Sequence, residues 1–95
     1  MERIILPRHL VNYILHQAQI SPEDEICGLI TARQGRPQRC IPIPNASDQP
    51  QRFFVMDPRS QIDALRNMRE QNEELFGIYH SHPHSPAEPS YTDLD

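Results

Sequence analysis

The sequence predicts a single α/β domain, one sheet with helices packed on it. Three observations predict this: two segments with apolar residues at helical spacing, short apolar runs bounded by turn residues, and a length sufficient for only one core. Ninety-five residues fall near the lower end of the usual domain size of about 100–150, so the core will be modest. Apolar residues at 37% and charged residues at 23% are ordinary for a chain that folds.

From Pro7 to about Ile20, the residues Leu10, Val11, Ile14, Leu15 and Ala18 recur at helical spacing. Pro7 is acceptable in a first turn and Pro22 closes the segment, so an amphipathic helix is expected. His9 and His16 lie on it apart from other ligand types and are set aside. Residues Glu25–Ala32 are rich in apolar residues and precede the turn signal Gln34-Gly35-Arg36-Pro37, which predicts a largely buried strand with a hairpin into Arg39–Pro44. Gly28 weakens a strand intrinsically and points to a bulge or a close backbone approach. Proline cannot donate to a central ladder, so Pro42–Pro50 reads as irregular or edge structure.

Arg52–Met56 is a third strand candidate. Asp57-Pro58 supplies an N-cap and a proline at the first helical position, starting a second helix to about Asn72 whose apolar face is Ile62, Ala64, Leu65 and Met68. Leu75–His82 is the fourth strand candidate, followed by a proline-rich loop from Pro83 to Pro89. There are no internal repeats.

The net charge is −4 and no run of Lys or Arg exceeds a pair, so a nucleic-acid partner is not expected. No apolar stretch approaches the ~18 residues of a membrane span and the N-terminus is no secretory signal, which leaves the cytoplasm as the expected location and no membrane partner. Cys27 and Cys40 are too few and too far apart for a disulfide framework and read as reduced packing residues.

The chemistry concentrates near the end of the chain. On a strand, side chains alternate, so His80 and His82 would face one side with Ser81 opposite and present two imidazoles to one cation. Zinc in catalytic sites takes three protein ligands and leaves a fourth position for water; Asp93 is the natural third. Taken singly, each piece has a plainer reading. A His-x-His pair occurs by chance, Ser90-x-x-Asp93 resembles a helix capping box, and Glu25 could be a surface carboxylate. His84 follows Pro83, which breaks the alternation, and is not read as a ligand.

Together, His80-x-His82, seven residues, Ser90-x-x-Asp93 and a Glu two residues before Cys27-Gly28 form a signature that resembles the JAMM (MPN-plus) zinc metallopeptidases. The resemblance implies an MPN/JAMM-like, cytidine-deaminase-like mixed sheet with flanking helices. It implies Zn²⁺ held by His80, His82 and Asp93, with Glu25 as general base and Ser90 stabilising the oxyanion. Between Glu23, Asp24 and Glu25, the Glu-x-Cys-Gly register selects Glu25. The Phe53–Pro58 segment and the IYHSHP stretch are similar to bacterial sulfur-carrier-protein (CysO-cysteine-type) peptidases. That likeness implies hydrolysis of an amide or isopeptide bond at the Gly-Gly C-terminus of a ubiquitin-like or sulfur-carrier protein through a metal-activated water.

Family members continue past the position of Asp93, so residues 1–95 are expected to be one such domain lacking its C-terminal part, with an exposed sheet edge open to self-association. The alternatives are a non-catalytic MPN-type binding module and a zinc hydrolase acting on another small amide.

Overall fold

A computed structural model describes residues 6–81 and the backbone of residues 90–92. The elements in chain order are α1 (Arg8–Gln19), β1 (Cys27–Arg33), β2 (Arg36–Ile43), α2 (Pro58–Glu70), β3 (Glu74–His80) and β4 (Ser90–Thr92). The strands form one sheet in the order β2-β1-β3-β4. Every ladder among the described residues is antiparallel, so any parallel pairing of a mixed sheet lies outside them.

β1 is central and explains the layering. Its residues are buried from Cys27 to Ala32, and their alternation serves two cores on opposite faces. Leu10 and Ile14 of α1 pack with Ile26, Ile30 and Tyr79 on one face. Ala64 and Met68 of α2 pack with Cys27, Leu29 and Ile43 on the other. Gln34 and Gly35, both at positive φ, make the tight turn into β2. The prolines of β2, Pro37 and Pro42, are tolerated because β2 is the end strand of the described sheet.

Gly28 lies opposite Tyr79 in the β1–β3 ladder, and the close approach expected at this glycine is made by the Tyr79 ring. A Cβ at Gly28 would sit 2.3 Å from the ring's Cζ. Tyr79 is fully buried, and its hydroxyl donates to Gln17 Oε1 of α1 at 2.8 Å. The bulge occurs further along β1, where both ladders shift between Ile30 and Ala32.

α2 begins as the sequence predicts. The Asp57 carboxylate accepts from the Ser60 backbone N–H and hydroxyl, and Pro58 occupies the first turn. These two hydrogen bonds hold the Asp57 carboxyl below the usual carboxylate range. Its apolar face is narrower than the sequence predicts. Ala64 and Met68, four residues apart, are buried, but Ile62 and Leu65 are exposed. Arg52–Met56 is not a strand: its ladder reduces to a single bridge, Asn45 with Met56, because Asn45 follows Pro44 at the end of β2 and no regular strand lies alongside.

At the far end of the sheet, Glu73 joins three elements. Its carboxylate accepts from Arg39 Nε at 2.9 and 3.1 Å and from Thr31 Oγ1 at 3.1 Å, and Arg39 also donates to Asn67 Oδ1 of α2. The Arg39 hydrogen bond holds the Glu73 carboxyl below its ordinary value despite burial, with help from Thr31. The folded state therefore binds fewer protons at Glu73 than the unfolded chain. This stability is full above the unfolded value of about 4.3 and is lost as pH falls through the folded value. Thermal melts between pH 6 and 2 are expected to show a fall in Tm on the acid side that is shallower in Glu73→Gln, which starts from a lower Tm at neutral pH. Parallel curves for the two proteins would contradict this.

Candidate active site

The site lies where β1 begins and β3 ends. Cys27, the first residue of β1, pairs with His80, the last of β3, and His80 pairs in turn with Ser90 of β4. Three strands thus bring Cys27, His80 and Ser90 into one row. Ser90–Thr92 forms a strand rather than a helix start, because the backbone of these residues joins the β3 ladder.

Glu25 precedes β1 rather than lying within it, yet its backbone is fixed at both polar groups. Its N–H donates to Pro50 O at 2.7 Å and its carbonyl accepts from Asn45 Nδ2 at 2.9 Å. The residue is only 5% exposed, whereas Glu23 and Asp24 are exposed. Burial thus distinguishes Glu25 from Glu23 and Asp24. Its Oε1 lies 3.8 Å from His80 Nδ1, too long for a direct hydrogen bond and close enough for both groups to meet one small reactant.

The His80 ring stacks on Phe54, with centroids 4.5 Å apart and planes inclined by 23°. Stacking sets the plane of the imidazole. The strand ends at His80, and Ser81 turns inward, where its buried hydroxyl oxygen accepts from the Ile26 N–H at 3.0 Å. The Ser81 N–H also donates to Ile26 O at 3.1 Å, so Ser81 lies on the side opposite His80; the expected placement of His82 beside His80 falls outside the described residues. His82, His84 and Asp93 lie outside the described residues, and of Ser90 only the backbone is described. Among the described residues no three His, Cys, Asp or Glu side chains gather as a ligand set. His9 and His16 are exposed on α1, apart from this site.

Both thiols are packing groups. Cys27 is fully buried and donates to Ile43 O at 3.3 Å. Burial first, then the nearby Glu25 carboxylate, pushes its pKa up to about 11. Burial raises Cys40 to about 11 as well. Burial thus disfavours the thiolate, the nucleophilic form, at both positions. A groove of about 460 Å³ borders the Glu25 segment, lined among others by Gln17, Ser21, Pro42, Pro44 and Asn45.

Sequence reasoning missed two residues here, Asn45 and Phe54. The Pro-Asn-x-Ser pattern was a usable signal for the first, since Asn in a turn accepts from the backbone two residues on; Ser47 N donates to Asn45 Oδ1 at 3.0 Å. Phe54 is, with Met56, an inward residue of the alternating Phe53–Met56 segment, but nothing local names His80 as its partner.

This fold and site define the class: the chain belongs to the prokaryotic homologs of the JAB domain, whose pattern matches residues 7–95. The resemblance to the JAMM peptidases is thereby established. The chain is 36% identical over 93 residues to the CysO-cysteine peptidase of Mycobacterium tuberculosis, covering 96% of this chain and 63% of that protein. It is 34% identical over 92 residues to the desampylase of Pyrococcus furiosus, covering 97% and 64%. A solution structure of a Desulfitobacterium hafniense protein superposes with a TM-score of 0.76 at 34% identity, over 90% of this chain and 60% of that one. The chain thus spans somewhat under two thirds of the length of the relatives it matches.

Proposed function

We propose that this protein is a zinc-dependent metallopeptidase of the JAMM type, hydrolysing an amide or isopeptide bond at the C-terminus of a ubiquitin-like or sulfur-carrier protein. The observation that carries the proposal is the buried Glu25 carboxylate 3.8 Å from the His80 imidazole. The names of the relatives, a CysO-cysteine peptidase and a desampylase, support a carrier-protein conjugate as the substrate class.

The donor set fits zinc. His80, His82 and Asp93 would supply two imidazoles and a carboxylate, a three-ligand set of the kind catalytic zinc sites use. The described member, His80, has its ring plane set by Phe54 while 15% of its side chain stays open to solvent. Bound zinc would supply Lewis acidity and lower the pKa of a water to about 7.

The protein's own groups then carry the proton and the charge. Glu25, without ligating the metal, accepts a proton from the attacking water and delivers it to the leaving amine, a role worth about 10²–10⁴ in rate. Ser90 donates from its hydroxyl to the carbonyl oxygen as negative charge develops there.

The test is a carrier protein ending in Gly-Gly with a cysteine or lysine joined to it by an amide bond. Mass spectrometry is expected to show free carrier and free amine with the zinc-loaded protein, and intact conjugate after chelation. A conjugate left intact by the zinc-loaded protein would contradict the proposal.

A further inference from the structure

We propose that Asn45 is the positioning residue of this site, a single side-chain amide that sets both the Glu25 backbone and the ring on which His80 rests. This rests on the reading of Glu25 as base and His80 as metal ligand.

The amide is used at both ends. Asn45 Nδ2 donates to Glu25 O at 2.9 Å and Phe53 O at 3.0 Å and lies 3.5 Å from Pro50 O, while Oδ1 accepts from Ser47 N at 3.0 Å and Val55 N at 3.1 Å. Three carbonyls face the nitrogen and two N–H groups face the oxygen, which fixes the amide's orientation. Pro50 O in turn accepts from Glu25 N at 2.7 Å, and Ala46 N donates to Val55 O at 2.7 Å. The 44–57 segment is therefore folded back on itself around Asn45, with Asp57 N donating to Pro44 O at 3.1 Å to close it.

Two consequences converge on the site. Glu25, which lies outside the β1 ladder, has its carbonyl and N–H held by Asn45 and by Pro50, a neighbour of the same amide. Phe54 lies between Phe53 and Val55, whose carbonyl and N–H both bond to Asn45, and its ring stacks on His80 at 4.5 Å. No other side chain of similar size supplies this pattern: Asp has the oxygens and no donor, Leu has neither, and Gln is one methylene longer.

The test compares the parent with Asn45→Asp, which keeps the acceptor and loses the donors, and with Glu73→Gln, which loosens the opposite end of the sheet. The readouts are the NMR resonances of the His80 ring in metal-free protein, zinc affinity by chelator competition, and kcat and KM on the carrier conjugate. Asn45→Asp is expected to shift the His80 ring resonances. Its zinc affinity or kcat is expected to fall about 10–100-fold, the usual effect of losing a group that orients a ligand, with KM changed less than about twofold. Glu73→Gln, although less stable, is expected to keep all three. Parent-like His80 resonances, zinc affinity and kcat in Asn45→Asp would overturn the proposal alone. A parent that neither binds zinc nor cleaves would overturn the functional reading and this proposal with it.

Discussion

Glu25→Gln is expected to lower turnover of a carrier conjugate by about 10²–10⁴ while leaving zinc content and Tm close to those of the parent. Glutamine matches glutamate in shape and retains the backbone bonds to Pro50 and Asn45, so the fold has no reason to change. It cannot accept a proton. The two neighbouring acids provide the control: Glu23 and Asp24 are exposed, and Glu23→Gln and Asp24→Asn are expected to retain turnover. Steady-state kinetics with zinc stoichiometry on the same samples checks the result. Full turnover by Glu25→Gln would remove it as the base.

The second large effect is on stability. Gly28→Ala is expected to destabilise the protein by about 1–3 kcal/mol, the usual range for overpacking a core. For a domain of this size each kcal/mol corresponds to about 4–8 °C in Tm. The added Cβ would lie 2.3 Å from both Cζ and Oη of Tyr79. The ring has little room to retreat, since it is fully buried among Leu10, Ile14, Ile26 and Ile30 and tied to Gln17. A smaller partner should relieve the clash. In a Tyr79→Leu background the additional loss on Gly28→Ala is expected to shrink, giving a favourable coupling in a double-mutant cycle. An unchanged Tm in the single variant would contradict the account. Because the Gly28–Tyr79 pair adjoins the Cys27–His80 pair, the clash should also disturb the site.

Both helices, the Gln34-Gly35 turn and the central strand were legible because each depends on local pattern: apolar spacing, an Asp-Pro start, a glycine after a polar residue. What failed was what depends on a neighbour. Phe53–Met56 alternates like a strand, but alternation needs a partner, and the chain alongside offers only Asn45 and Ala46. Ile62 and Leu65 continue the helical spacing of Ala64 and Met68, yet sequence cannot show which part of an apolar stripe meets the sheet. The site divides in the same way. Glu25 was found through its register with Cys27-Gly28, but within an acidic run its burial was invisible. Asn45 was missed because its partners, Glu25, Phe53 and Val55, are 20, 8 and 10 residues away, beyond the reach of a local turn motif.

Under the proposed function, His80 binds zinc and Glu25 moves protons. Zinc stoichiometry by elemental analysis, on the parent, His80→Ala and Glu25→Gln proteins after dialysis against trace free zinc, tests it most directly. One zinc per chain is expected in the parent and in Glu25→Gln, and close to none in His80→Ala. Zinc retained by His80→Ala, or absent from the parent, would contradict it.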